Sequence, residues 1–251
     1  MANVERVINI VDDNTVLIDN TTTNALIYID SKEANIKFDI SEGIHHILIV
    51  NRFEEDTVTI KDAGKVSNHA VLNLSYIDLC NNNLVQDSNI DVYEGSELNI
   101  ITKYLSKEKK VINMNYVNKE RYSNINIDNS CVCLDKSEFY LECVGKIEKG
   151  SYTSESHQTS RCLTIDKPKK SLVKPVLLID ENDVLASHSL SSGSIDEDIL
   201  YYLNSRGISY KDAMILFIRS YLLPSDKLLS NYSFGQEVYD YLVERVENLY
   251  A

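Results

Sequence analysis

Apolar residues alternate with polar ones through most of the first 130 residues of the chain. This two-residue period is typical of a strand with one buried face. Asparagine, aspartate, serine and glycine stand between the apolar runs, and these residues tolerate turn backbones. The pattern predicts ten strands, at residues 15–18, 24–29, 35–40, 45–50, 57–60, 70–79, 89–92, 97–101, 111–117 and 124–127.

The periodicity changes near Ser194, where helix signals replace the strand pattern. Ser194 and Glu197 have the spacing of a capping box, which predicts a helix that runs to about Ser205. Gly207 follows as a left-handed stop. Two further helices are predicted, one capped by Ser209 and running through Leu222, and one opened by Ser233 and Gln236 and ending near Tyr250.

Short strands at spacings near ten residues are typical of a β-sandwich, a barrel or a stacked β-helix. No strict repeat with invariant positions distinguishes these architectures, so the strand pattern alone leaves all three open. The change in periodicity predicts two domains, a β domain of residues 1–193 and a helical domain of residues 194–251.

Charge, hydropathy and cysteine content limit the kinds of partner and the cellular compartment that this chain can have. The chain has 251 residues and a formal net charge of −13, with a pI near 4.8. This excess of acid argues against nucleic acid or an anionic membrane surface as the main partner. No apolar run reaches membrane-spanning length, and the N-terminus lacks the apolar core of a signal peptide, so we expect a cytoplasmic protein. Its five cysteines are unevenly spaced, which suits reduced thiols better than a disulfide framework.

The segment from Asp183 to Ala213 joins an exposed histidine turn, with His188 among serines, to two capped helices in one fixed order. It resembles the C-terminal signature of the SufB/SufD family, scaffold proteins of iron–sulphur cluster assembly. The matching positions are Leu177-Leu178-Ile179, Asp183-Val184, Ser187-His188, Gly193, Asp196-Glu197-Asp198, Tyr202-Leu203, Ser205-Arg206-Gly207-Ile208 and Ala213. Weaker matches upstream are Gly145, Lys149-Gly150, His157-Gln158 and Arg161.

The resemblance implies a mostly β protein, a right-handed parallel β-helix with a C-terminal helical region, in which asparagines stack in ladders at the corners of the coils. It implies pairing with a second copy or with a SufB-like subunit through strand edges near residues 176–190. It also implies docking of a SufC-type ABC ATPase on residues of about 194–222. The implied docking residues are Tyr201, Tyr202, Arg206, Tyr210 and Phe217.

The chain lacks a nucleotide-binding motif, so we expect the energy for cluster assembly to come from the partner ATPase. The sequence contains no G-x-x-x-x-G-K-[ST] phosphate loop, so we expect this chain to bind and hydrolyse no ATP and to act as a scaffold rather than an enzyme. The chain is also shorter than typical family members and shows no match to their N-terminal helical domain. We therefore expect a reduced two-component system in which one such chain pairs with itself.

His188 is the first candidate for chemistry, because an imidazole among serines can ligate iron or carry a proton. The resemblance implies a transient iron–sulphur cluster at the subunit interface, with His188 as a metal ligand and Cys162 as the nearest thiolate. Family members of the SufD type have a cysteine where this chain has Ala186. Alternatively, His188 only hydrogen-bonds a turn, and Cys162 is a core residue.

Other metal-ligand candidates carry weaker signals. Cys131 and Cys133 share one face of a strand and could form half of a soft-metal site or a buried pair. His45 and His46 point to opposite faces, and His69 has no convergent neighbour in sequence. His157, in a polar run, is a second-rank candidate.

Two other functions stay open at this point. A carbohydrate-active β-helix enzyme would need converging carboxylates, for which Asp78 and Asp91 are candidates, but tryptophan platforms for sugars are absent. A purely structural binding module would have no chemistry at His188.

Overall fold

The computed structural model describes residues 5–11, 15–224, 229 and 235–250. Within these residues the chain forms two parallel sheets of eight and seven strands, and consecutive strands alternate between them. The eight-stranded sheet contains β1 (Glu5–Ile10), β3 (Asn24–Ile29), β5 (Ile44–Asn51), β7 (Val71–Asp78), β9 (Glu97–Ser106), β11 (Asn124–Cys133), β13 (Ser154–Thr164) and β15 (Val184–Ser194). The seven-stranded sheet contains β2 (Thr15–Asp19), β4 (Glu33–Ile40), β6 (Val58–Val66), β8 (Leu84–Val92), β10 (Lys109–Asn118), β12 (Glu138–Ile147) and β14 (Lys170–Ile179).

This alternation makes the fold a β-solenoid, since each coil adds one strand to each sheet. Strand pairing is parallel and in register, so that Leu98 stands beside Leu72 of the preceding coil and Ile125 of the next. The predicted parallel β-helix with helices at its C-terminal end is confirmed. The ten predicted strands all correspond to observed ones, β2 through β11.

The alternation did not predict β1, β12, β13, β14 and β15, of which β14 and β15 fall where the resemblance implies strand edges, near residues 176–190. In β13 the inward row consists of Ser154, Ser156, Gln158, Ser160 and Cys162, all of them buried. Because polar residues occupy this inward row, the strand lacks the apolar alternation that reveals the others.

The main core lies between the two sheets and consists of stacked rows of isoleucine, leucine and valine. A second apolar cluster, called the outer cluster here, lies on the opposite face of the eight-stranded sheet. Its buried members on the sheet side are Leu26, Tyr28, Leu48, Val50, Ile77, Leu79, Leu105, Val132, Leu163 and Ile165. Both faces of these strands are therefore covered where the outer cluster forms, which explains the continuous burial of β3.

Three α-helices complete the described part of the chain: α1 (Glu197–Ser205), α2 (Tyr210–Leu222) and α3 (Gly235–Glu247). Helices α2 and α3 cover the outer cluster with Met214, Ile218, Leu222, Val238, Leu242 and Val246. None of these helices has the length and apolar character needed to cross a bilayer. The proposed division into domains of residues 1–193 and 194–251 stays a prediction.

The helix boundaries follow most of the sequence signals. Helix α2 is capped by Ser209, whose Oγ accepts from the amide of Asp212 at 3.1 Å, as predicted. Gly207 has a φ of +85° and stops α1 as predicted. The predicted capping box was wrong, because Asp196 caps α1 and accepts from the amide of Asp198 at 2.8 Å. Ser194 ends β15, and Ser233 lies outside the described residues.

One corner of successive coils has a left-handed backbone. Gly43, His69, Gly95, Tyr122 and Thr153 occupy this corner, with φ between +58° and +82°. Only two of the five are glycine, although a positive φ is costly for other residues. The structural repeat is thus real but leaves no repeated residue type in the sequence.

Asparagine ladders form on the strand faces rather than at the predicted corners. Asn126 donates to Asn99, and Asn99 donates to Asn73, each at 3.0 Å and with sequence separations of 27 and 26 residues. These three positions are register partners on β7, β9 and β11. Parallel in-register pairing stacks identical side chains one strand spacing apart, which allows each amide to bond to the next.

Candidate functional site

The last coil, formed by β14 and β15, is the C-terminal end of the solenoid, and it is largely exposed. Each of the two strands is the outermost strand of its sheet among the described residues. On β15, Ala186, His188 and Leu190 are register partners of the buried Ser156, Gln158 and Ser160 of β13. They therefore belong to the inward row, yet all three are exposed, because no further described coil covers them.

His188 was predicted to lie in a turn, and this prediction was wrong. It lies in the middle of β15, where its backbone pairs with Gln158. The serines around it resemble a loop in sequence, but they occupy an edge strand that has no covering coil and needs few apolar residues. The exposed inward side chains of β15, Ala186, His188 and Leu190, form what is called the end face here, and the His188 imidazole lies at its centre.

Gln158 supports the end face directly beneath His188. A Cβ at Gly145 would lie 2.6 Å from Gln158 Nε2 and 2.7 Å from Ser156 Oγ, so a larger residue there would force these side chains to shift. Gln158 Nε2 donates to the carbonyl of Val176 at 3.1 Å, whereas its Oε1 is buried without a hydrogen-bond partner. A buried acceptor without a partner beneath the end face is a polar position that a bound group could satisfy.

Three buried cysteines converge below the end face, with Cys162 one coil below it and Cys131 and Cys133 two coils below. Cys131 and Cys162 are register partners on β11 and β13, and Cys133 lies two residues further along the same face. The Sγ atoms of the three residues lie within 4.8 Å of one another, and Cys133 Sγ is 3.7 Å from Cys162 Sγ. The hydroxyl of Ser171 on β14 lies 3.1 Å from Cys162 Sγ and 3.7 Å from Cys133 Sγ.

The three thiols differ in acidity because each one acts on the others. Hydrogen bonds from Cys131 and Cys133 lower the pKa of Cys162, and the hydroxyls of Ser171 and Ser192 act in the same direction. Burial raises the pKa of Cys131. The bond with Cys131 lowers the pKa of Cys133, but the bond with Cys162 and burial outweigh this effect and raise it. Cys162 is the thiol that ionises first.

Sequence reasoning paired Cys131 with Cys133 but did not add Cys162 to them. Residues on neighbouring coils are 20 apart for Thr15 and Asn35 and 32 apart for Glu138 and Lys170. With such variable coil lengths, the 31-residue separation of Cys131 and Cys162 carried no signal without the register.

The remaining histidines occupy separate places. The ring of buried His45 contacts the carbonyls of Thr22 and Glu42, each at 2.7 Å, and needs no metal to satisfy it. His46 is half-buried on the opposite face, and burial lowers its pKa. His69 occupies the left-handed corner. His157 lies on the outward face of β13, with Nδ1 2.8 Å from Ser187 Oγ and Nε2 3.2 Å from a Glu155 carboxylate oxygen.

The two acidic residues considered for sugar chemistry do not converge. Asp78 lies on the eight-stranded sheet and forms a buried ion pair with Lys110, whereas Asp91 lies on the other sheet, 3.9 Å from the Lys119 ammonium. This arrangement does not bring Asp78 and Asp91 together on one exposed face.

The predicted docking residues on the helices are mostly exposed. Tyr201 has 77% of its surface exposed, and Tyr202 and Tyr210 are also more than half exposed. The guanidinium carbon of Arg206 lies 5.3 Å from the centre of the Tyr202 ring. Phe217 differs, because it is half-buried and packs against the outer cluster. Helix α1 contains no fully buried residue: its Leu200 is half-buried against the outer cluster, whereas Ile199, Tyr201 and Tyr202 are exposed.

Comparison with known proteins places these features in context. Residues 20–221 match the family described as SUF system FeS cluster assembly, SufBD core domain. The chain is 40% identical to the iron–sulphur cluster assembly protein SufD of Bacillus subtilis over 93 residues, or 37% of this chain and 21% of that protein. It is 31% identical to an iron–sulphur cluster assembly SufBD family protein of Mycobacterium tuberculosis over 84 residues, covering 34% and 10% of the two chains.

A third similarity is to SufD of Escherichia coli, at 27% identity over 104 residues, which cover 41% of this chain and 25% of that protein. In all three comparisons the aligned segment spans a quarter or less of the relative's length.

Proposed function

The chain belongs to the SufBD core-domain family, and from this premise we propose that it is a scaffold subunit of an iron–sulphur cluster assembly complex. In this proposal the chain pairs through its end face with a second copy of itself or with a SufB-like subunit. A SufC-type ABC ATPase docks on its C-terminal helices and supplies the energy of ATP hydrolysis. The cluster is cargo, built transiently at the paired end. The observation that carries the proposal is the uncovered inward row of β15.

Pairing is supported by the chemistry of the last coil. Leu190 belongs to the inward row of β15 but is 45% exposed, and Ile179 at the end of β14 is 40% exposed. No described strand pairs with the outer edge of either β14 or β15, so their backbone amides and carbonyls are open to a partner strand. A partner strand satisfies these groups and covers the exposed end of the core, so association stabilises the end face.

Docking on the helices is supported by exposed side chains that do not belong to the outer cluster. Tyr201, Tyr202 and Tyr210 combine apolar area with a hydroxyl, a combination enriched in interfaces. They point away from the outer cluster, which α2 and α3 already cover. Exposed tyrosines beside Arg206 make a surface that suits a protein partner rather than a lipid or a nucleic acid.

Single substitutions should separate the two interfaces. Leu190→Lys should weaken pairing more than about tenfold, because an unpaired ammonium would be buried in the interface. It should leave ATPase docking intact. Tyr201→Ser combined with Tyr202→Ser should weaken ATPase docking and leave pairing intact, since tyrosines are frequent sites of high binding energy. Light scattering over a concentration series measures pairing, with and without a coexpressed SufB-like subunit, and copurification measures docking.

Matched controls use exposed residues elsewhere on the solenoid. Ile44→Lys changes an exposed apolar residue far from the end face, and Tyr122→Ser removes an exposed tyrosine far from the helices. Neither variant should change either interaction. A wild-type chain that stays monomeric in every arm and never copurifies with the ATPase contradicts the proposed assembly.

His188 should affect cluster formation without affecting the fold. We expect His188→Ala to lower the yield of cluster roughly tenfold or more, because lost metal-site contacts have effects of this size. Its melting temperature should stay close to that of the wild type, since the side chain is exposed. The assay is anaerobic reconstitution followed by the visible absorption of the cluster.

His157→Ala is the matched control, because His157 lies on the neighbouring strand but faces outward. Cys162→Ala in the same assay tests whether this chain supplies a thiolate, and an unchanged yield assigns the thiolate to the partner. Normal cluster formation in the His188 variant would mean that the chain acts as a purely structural binding module.

The proposal places the complex in the cytoplasm, where five free cysteines stay reduced.

A further inference from the structure

The three converging cysteines are more than core side chains by their geometry. We propose that Cys131, Cys133 and Cys162 form a binding site for one thiophilic metal ion, held by three thiolates of this chain alone. The site needs neither a partner subunit nor a completed cluster, and it therefore extends beyond the proposed scaffold function. Zn²⁺, Fe²⁺ and Cu⁺ share the required preference for thiolates.

The sulphur positions already approximate the geometry of such a site. Metal–sulphur bonds to zinc are about 2.3 Å long, so sulphurs around one ion lie roughly 3.8–4.0 Å apart. The observed separation of Cys133 Sγ and Cys162 Sγ is 3.7 Å, and all three sulphurs lie within 4.8 Å of one another. The sulphur separations are thus within about 1 Å of those around one ion, so small side-chain rotations suffice to bring the three sulphurs onto it.

A fourth polar group borders the three sulphurs. Ser171 Oγ contacts both Cys162 Sγ and Cys133 Sγ, at 3.1 and 3.7 Å. It can provide an oxygen on the remaining side of a tetrahedral ion or hydrogen-bond a thiolate.

An entry path leads from the end face. Ser171 is half-buried on β14, and exposed Ser192 on β15 is the register partner of Cys162. Cys162 therefore lies one strand spacing from the end face, behind two serines. A metal ion can reach the sulphurs from this side, and pairing at the end face would then enclose it. Each thiol that binds the ion releases its proton to solvent, so apparent affinity rises with pH.

The test uses the full chain, reduced and without oxygen, alone in solution. Co²⁺ is the first probe, because tetrahedral cobalt–thiolate complexes give visible d–d bands and a sulphur-to-metal charge-transfer band. We expect saturation at one equivalent, displacement of cobalt by Zn²⁺, and competition arms with Fe²⁺ and Cu⁺ that rank the physiological ions. X-ray absorption should count three sulphurs around the bound ion.

Serine variants locate the ligands. Cys131→Ser, Cys133→Ser and Cys162→Ser should each weaken binding more than about a hundredfold, since loss of even an outer-shell partner costs 10–100-fold. Cys143→Ser is the matched control, because this buried cysteine lies on β12, outside the group of three. Its affinity should equal that of the wild type.

Three results would overturn the site. They are an absence of charge-transfer absorption in the wild type, fewer than three sulphurs in X-ray absorption, and equal loss of binding in the Cys143 variant. Thermal melts without metal show whether each variant folds, and the sulphur count in the wild type stays decisive if one does not. ATPase docking and pairing are measured separately, so failure here leaves the scaffold proposal standing, and the reverse also holds.

Discussion

Replacing Lys110 by methionine should remove about 3–5 kcal/mol from the free energy of unfolding, the expected effect of breaking a buried ion pair. The Lys110 side chain has no exposed surface, and its Nζ lies 2.7 Å from Asp78 Oδ2. The same ammonium donates to the carbonyl of Cys80 at 3.1 Å. Without it, the Asp78 carboxylate stays buried with only the neutral donors Asn51 and the amide of Cys80.

Denaturation by urea at neutral pH measures this loss. The double variant Lys110→Met with Asp78→Asn should recover part of the stability, because it leaves no unpaired charge in the interior. Lys32→Met is the matched control, since its ion pair with Asp56 is exposed to solvent, and the midpoint should barely change. A Lys110 variant with a midpoint near that of the wild type would mean that water or a neighbour compensates the carboxylate.

Asp62 should make the protein less stable as the pH rises from about 4 to about 7. Its carboxyl group is buried in the main core on β6, and burial raises its pKa from 3.8 to about 7, although Ser88 donates to it at 2.5 Å. The folded state therefore holds a proton that the unfolded state has already released. Since the unfolded state binds fewer protons in this range, stability falls with rising pH and levels off above about pH 7.

Asp62→Asn isolates this contribution from the other titrating groups. The variant and the wild type should have similar stability near pH 4, where Asp62 is protonated in the fold. The stability of the variant relative to the wild type should grow with rising pH, to about 4 kcal/mol above pH 7, because each pKa unit corresponds to about 1.36 kcal/mol. Denaturant midpoints of both proteins across this range provide the comparison. A difference that does not vary with pH would show that Asp62 does not titrate in the fold as described.

The local elements could be predicted from the sequence because their signals are local. Strands such as β4 and β10 alternate visibly, since one face of each is buried between the sheets. Ser209 and Gly207 marked a helix start and a helix end because a cap and a left-handed stop depend on a few adjacent residues. The resemblance carried by the segment around His188 added the stacked β-helix, which alternation alone left open.

The inward row of the last coils was harder to predict. Residues such as Ser156 and Gln158 are buried but polar, so β13 lacks the usual pattern. The edge strand β15 is rich in serine because no described coil covers it, and this composition resembles that of a turn. Both errors arise where the solenoid ends and the ordinary rule of apolar interiors no longer applies.

The sequence by itself therefore determined ten of the fifteen strands, the helices and, through its signature, the class of fold. Only the tertiary structure decided which residues meet across coils: Cys162 with Cys131 and Cys133, Lys110 with Asp78, and His188 above Gln158. The physical reason is that neighbours in a β-solenoid are one coil apart, while coil length varies and the left-handed corner accepts glycine, histidine, tyrosine or threonine. Register across coils is set by the stacking of the whole core, which no short window of sequence contains.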